Sequence, residues 1–189
     1  MMQNCMKTKS ISKVMVQKNN LIILLITTLV FLAFMIWVLP AVSETTREIT
    51  GTTLSPDTSF FYTAETLYQI ASEYGPEGRS YYIRSRFTFD VIWPIVYGAF
   101  LISAISMLFK KPIRGKDYHF LNLLPVFGII FDFLENIGAS FVMFRYPEMT
   151  IIANWTPYFT LIKWIFIYAS FACLLIGLLL KLAPNFSRQ

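Results

Sequence analysis

The stretch LIILLITTLVFLAFMIWVL, residues Leu21 to Leu39, decides the fold class, because it contains nothing more polar than Thr27 and Thr28. At 1.5 Å of rise per residue, about 20 apolar residues cross a hydrocarbon layer roughly 30 Å thick. Lys7, Lys9, Lys13 and Lys18 before the run, and Ala41-Val42-Ser43 after it, also fit a secretory leader with a cleavage site. The run is longer than the ~7–15 residues of a leader's apolar core, so a retained span ending at Pro40 is expected.

Working outward, three further apolar segments follow: about Thr88 to Phe109 with Pro94 inside it, about Phe120 to Phe144 with Pro125 near its start, and about Pro157 to Leu180. Hydrophobic residues make up 56% of the 189 and charged residues 14%, against about 25% charged in soluble domains. Lipid solvation of much of the surface follows. The expected fold is an all-α integral membrane bundle of four transmembrane helices in a single membrane domain. Residues 1–20 and 181–189 are tails, 40–87 an extracytoplasmic segment, and 110–119 and 145–156 connections.

The net charge of +5 lies in short runs beside apolar segments, as orientation signals do. Nucleic acid is therefore not the expected partner; membrane lipids are, with a second membrane protein as a further candidate. The N-terminal tail, the 110–117 loop and the C-terminal tail hold ten Lys and Arg residues. The opposite side holds five: Arg47, Arg79, Arg84, Arg86 and Arg145. This asymmetry predicts a multi-pass protein of the cell membrane with both termini in the cytoplasm. Cys5 and Cys173 define no disulfide framework. No G-x-S-x-G, phosphate loop or His-rich set occurs, so neither cofactor nor metal is expected. His119, beside Asp117, reads as an interfacial residue, and Trp93, Trp155 and Trp164 as belt residues.

Within the extracytoplasmic segment, Ser43 to Leu54 looks irregular. Ser55-Pro56-Asp57 predicts a helix start, with Ser55 as N-cap and Pro56 at the first position of a helix over 56–74. Phe60, Ala64, Leu67, Tyr68, Ala71 and Tyr74 form its apolar face, and Gly75-Pro76 closes it. Such a helix lies in the outer interface or caps the bundle.

Four ionisable residues fall inside the spans: Asp90, Asp132, Glu135 and Lys163. Each costs roughly 2.5–3.5 kcal/mol at mid-membrane when isolated, so they are expected to converge. Asp90 lies just inside the second span, Asp132 near the midplane, and Lys163 about 9 Å from the outer end of the fourth. Arg86, Asp90, Pro94 and Tyr97 share one helical face, and Asp132, Glu135, Asn136, Ala139 and Ser140 another. Facing each other, these stripes bring Asp90 and Glu135 to Lys163 or Arg86 and put Asp132 within reach of Tyr97. Three readings remain open for the cluster. The first is an interhelical clamp. The second is a pocket for a lipid-like ligand or partner helix, in which Asp90, Asp132 or Glu135 could also act as acid and base on an amphiphilic substrate. The third is a proton or ion pathway. Arg79, Arg86 and Tyr82 add a phosphate-binding or headgroup-anchoring set at the entry to the second span. The nearly all-apolar first span reads as an anchor, leaving any activity to the other three.

Three stretches together carry a likeness: Gly78-Arg79 through Arg86-Phe87-Thr88-Phe89-Asp90 with Trp93-Pro94 and Tyr97; Asp132-Phe133-Leu134-Glu135-Asn136 followed by Arg145-Tyr146-Pro147; and Leu161-Ile162-Lys163-Trp164. Over about residues 76 to 180 the chain resembles small, uncharacterised four-helix membrane proteins of bacteria. The resemblance implies the architecture and no activity. The paired cysteines of claudin-like proteins are missing, as are the Asn-Asp and Gly-rich motifs flanking the aspartate dyad of lipoprotein signal peptidases.

Overall fold

The computed structural model describes residues 11–56, 59–113 and 115–182. Cys5, Lys7, Lys9, Asp57, Arg114 and Arg188 lie outside the described residues. The chain is all-helical, at 82% helix, with no strand among the described residues. Four helices are long and apolar enough to cross a membrane: Leu21–Thr50, Gly75–Leu108, His119–Arg145 and Ile152–Leu182.

The first begins as α1 (Leu21–Ala33), capped by the Asn20 side chain, which accepts the Ile23 N–H at 3.0 Å. Pro40 does not end it. A π-helical turn over Phe34–Val38 leads into α2 (Leu39–Thr50), so residues 43–50, expected to be irregular, are helical. Proline lacks the N–H of the regular helix and its ring crowds the carbonyl four residues back. The wide turn absorbs both defects, since the Leu39 N–H bonds the Phe34 carbonyl, five residues away. The helix ends at Gly51, whose φ of 69° is open to glycine at little cost.

The amphipathic helix is shorter than the expected 56–74. Helix α3 spans Ala64–Glu73, and Thr63 rather than Ser55 caps it, accepting the Thr66 N–H at 3.2 Å. The residues ahead of it are committed elsewhere: Tyr62 is buried in the core, and its hydroxyl accepts a hydrogen bond from Thr160 at 3.2 Å. Glu65 sits in the first turn, its carboxyl held below the usual range by its own backbone N–H and by the Thr63 hydroxyl. Gly75 closes α3, but Pro76 then opens α4 (Gly75–Arg86), placing Arg79, Arg84 and Arg86 on a helix. A break at Phe87-Thr88 precedes α5 (Phe89–Leu108). A 3₁₀ turn over His119–Leu123 leads into α6 (Leu124–Arg145). Helix α7 (Ile152–Leu182) starts five residues before the expected Pro157, which lies inside it and has no N–H to give the Ala153 carbonyl one turn back.

Leu67, Ile70 and Ala71 of α3 pack with Tyr62, Tyr74 and Tyr82 onto Ala139, Val142 and Met143 of α6 and Ala153 of α7. Helix α3 thus packs over one end of α6 and α7. Helix α1 packs on α5 through stacked rings, Phe31 against Phe100 at 4.5 Å and against Trp93 at 5.9 Å.

The opposite end is tied by the N-terminal segment, whose residues 11–18 are helical. The Ser12 hydroxyl donates to the His119 carbonyl at 2.9 Å, and the Asn122 amide donates to the Ser12 carbonyl at 3.1 Å. Asn19 donates to the Ser103 carbonyl at 2.7 Å and accepts from its hydroxyl at 2.8 Å. Nearby, His119 meets Asp117 at 2.5 Å, and that contact holds the Asp117 carboxyl below its usual range. Because Asn19 is buried, Asn19→Ala removes both bonds to Ser103 and takes the acceptor from its buried hydroxyl, and is expected to cost roughly 1–3 kcal/mol. Faster proteolytic release of the first twenty residues in detergent is the measurement; an unchanged rate would mean the segment is not held there.

Candidate functional site

Pro94 sets up the polar cluster. It has no N–H to give the Asp90 carbonyl one turn back in α5. The Asn136 amide of α6 supplies that hydrogen bond instead, at 3.1 Å. A proline in one helix thus calls for a donor on its neighbour, and Asn136 is that donor. Asn136 also donates to Asp132 at 3.4 Å and accepts from the Arg86 guanidinium at 3.2 Å, which makes it the hub of the cluster.

Two ion pairs form around it. Arg86 meets Asp90 at 3.4 Å, with Ser85 donating to the same carboxylate at 3.1 Å and the Tyr82 ring 4.2 Å from the guanidinium. Lys163 of α7 pairs with Glu135 of α6, and its ammonium stands 5.3 Å from the Trp164 ring centre. Glu135 is fully buried, and Lys163, Arg86 and Asp132 are nearly so, at 4%, 7% and 7% exposure. Asp132 accepts the Tyr97 hydroxyl at 2.9 Å. The expected stripes therefore do face each other, with Asp90 paired to Arg86 and Glu135 to Lys163. Three carboxylates face two cations here.

Arg79 stands apart from this group. It donates to the Ala71 carbonyl at 2.8 Å and lies 4.6 Å from the Tyr146 ring centre, so it ties α3 and α4 to the end of α6. Tyr82 is buried in the core beneath Arg86. Ser140, expected on the same stripe as Asp132, is buried.

The cluster forms the floor of a cavity of about 790 Å³, well within the range of small-molecule sites. One wall is Phe31, Met35 and Leu39 of the first long helix; the facing wall is Ile167, Tyr168 and Phe171 of α7. Phe89, Trp93 and Trp164 flank Asp90, Tyr97, Asp132 and Lys163 between them. At the rim, Arg47 and Glu44 neutralise each other at 2.6 Å. Glu135 is not among the lining residues; it stands behind Lys163 as its counterion.

The first long helix, expected as an anchor, forms a wall of the cavity as well. Trp93 and Trp164 line the cavity, and Trp155 is exposed. The only signal in the sequence was the shared phase of Trp93 with Asp90 and Tyr97, at spacings of three and four residues. The contribution of Phe31 and Met35 left no such mark. Among the described residues, no group of three or more His, Cys, Asp or Glu stands close enough to hold a metal ion. No protein-family model, curated protein or solved structure matches the chain.

Proposed function

We propose that the chain is an integral membrane protein that crosses the bilayer four times with both termini in the cytoplasm, and that it binds an amphiphile in the cavity between its first and fourth spans. The observation that carries this reading is a cavity with aromatic and aliphatic side walls and a charged floor, matching a molecule that is apolar along its length and polar at one end. Insertion is supported by the exposed apolar surface: Ile22, Leu29, Trp37, Leu175 and Leu179 are all more than half exposed, a burden that water tolerates poorly and lipid does not. The charge asymmetry around the spans supports the orientation. With that orientation the polar floor lies in the outer half of the bilayer, and an occupant enters sideways from the lipid between α1 and α7.

Trp93 and Trp164 report on the cavity directly. In nanodiscs carrying a bromine-chain fatty alcohol at increasing mole fraction, their fluorescence is expected to be quenched saturably. The saturable part should vanish in the Trp93→Phe/Trp164→Phe variant, leaving Trp37 and Trp155. Quenching that rises linearly, as for a side chain in bulk lipid, would sink the binding reading.

One observation favours a second reading, in which the bound amphiphile is also a substrate. Asp132 reaches the cavity floor while hydrogen-bonded to Tyr97, an arrangement that suits a base held in place by a neighbour. Chemical change in an amphiphile recovered from wild-type membranes, but not from Asp132→Asn membranes, would support it.

A further inference from the structure

We infer that the N-terminal helical segment and the loop between α5 and α6 form one basic surface that binds anionic lipid headgroups at that end of the spans. The inference rests on membrane insertion and not on the cavity.

The first argument is how the two pieces are held. Ser12, Val16 and Asn19 recur at spacings of four and three residues, share one face and are buried. Ser12 and Asn19 make the bonds to His119, Asn122 and Ser103 described above. The same repeat turns Ile11, Val14 and Lys18 the other way, where they are exposed, as is Lys13. A helix that shows apolar and cationic side chains outward together suits the lipid interface. The loop is equally fixed. Phe109 and Ile113 are buried with Ile105, and Ile113 and Lys116 exchange backbone hydrogen bonds at 3.0 Å. Lys110, Lys111 and Lys116 stay exposed, and Lys110 donates to the Asn19 carbonyl at 3.2 Å. That bond, with Ser12 on His119, joins the lysines of the loop to Lys13 and Lys18 on one surface.

The second argument is charge. Of the 11 acidic residues, only Asp117 falls within 1–20, 110–119 or 181–189. Its carboxyl is engaged by His119 and feels Lys13 as well, and both hold it below its usual range. Five exposed lysines therefore stand against one carboxylate that already has a partner. An anionic leaflet attracts such a cluster, and each lysine head offers three N–H donors to phosphate oxygens. Ile11 and Val14 among these lysines select a lipid as the occupant, because a lipid brings phosphate to the lysines and acyl chain to the apolar pair.

The test uses two spin-labelled lipids with identical chains, phosphatidylglycerol and phosphatidylcholine, in phosphatidylcholine vesicles holding the full-length protein. Electron paramagnetic resonance gives the fraction of each probe slowed at the protein surface. Phosphatidylglycerol is expected to associate about fivefold more strongly, a factor corresponding to ~1 kcal/mol. Because the screening length falls from about 10 Å at 0.1 M salt to about 3 Å at 1 M, the preference should fade toward equality at the higher salt. Lys13→Gln/Lys18→Gln/Lys111→Gln/Lys116→Gln should bring it below about twofold, while Lys13→Arg/Lys18→Arg/Lys111→Arg/Lys116→Arg keeps it. Lys110 is left in place because it holds Asn19. Equal association of the two probes at low salt overturns the inference. So does a preference that survives the glutamine substitutions unchanged, which would move the site to the basic residues at the opposite end. Loss of slowing for both probes means the chain is not in the bilayer and overturns insertion instead. If the fourfold glutamine variant does not fold, Lys13→Gln and Lys116→Gln singly, both at exposed positions, are expected to lower the preference in part. No change in either overturns the inference.

Discussion

Lys163→Met is expected to destabilise the protein by roughly 3–5 kcal/mol, the cost of breaking a buried ion pair from one side only. Its counterion, Glu135, is fully buried on α6 and is not among the cavity walls. Removing the ammonium leaves a carboxyl that must either stay charged in a low-dielectric interior or take up a proton. The loss should exceed that from truncating a cavity residue of similar size, because it uncovers a charge and not only a void. Adding Glu135→Gln to Lys163→Met should recover much of the loss, since a neutral amide has less to lose by burial. The measurement is a double-mutant cycle on thermal unfolding in detergent. A Lys163→Met protein that melts with the wild type would mean the pair does not hold α6 to α7.

The second large effect concerns how closely those two helices approach. A Cβ on Gly138 would stand 2.5 Å from the Thr156 hydroxyl oxygen. Thr156 cannot yield easily: it is fully buried, and its hydroxyl donates to the Ile152 carbonyl at 2.8 Å. Between apolar helices in lipid, close packing of small residues is a main source of association. Gly138→Leu is therefore expected to force α6 and α7 apart at a cost of about 3 kcal/mol. The shift should also strain the Tyr62–Thr160 hydrogen bond that docks the segment before α3 one turn away. Gly138→Ala should cost less, and Thr156→Ala should partly relieve it by removing the clashing hydroxyl. Unfolding midpoints of the single and paired variants check this; additive effects would mean the contact at Gly138 is loose.

The cluster was partly legible in sequence. Helical phase placed Arg86, Asp90 and Tyr97 on one face and Asp132, Glu135 and Asn136 on another, because a 3.6-residue repeat dictates which side chains of a helix look the same way. Phase alone did not assign Asp90 to Arg86 and Glu135 to Lys163. That choice depends on how far each helix slides along its neighbour, which is set by Gly138 under Thr156 and by the Asn136 amide reaching the carbonyl that Pro94 leaves open. Proline gave misleading local signals twice. Pro40 marked an end that a π-helical turn removed, and Pro56 marked a helix start that the burial of Tyr62 moved to Thr63. In both cases a tertiary or neighbouring arrangement outweighed a local preference of a few kcal/mol.

By itself the amino-acid sequence determined that this is an all-helical chain with four helices long and apolar enough to cross a membrane, because the length and polarity of a run are properties of neighbouring residues. It also determined which polar side chains share a helical face. Only the tertiary structure decided that the first long helix is a cavity wall, that Trp93 and Trp164 line the space, and that Glu135 is sealed behind Lys163 while Asp132 reaches the floor. Those outcomes arise from contacts between residues tens of positions apart, such as Phe31 with Trp93 and Tyr97 with Asp132, and no local pattern encodes the relative placement of helices that creates them.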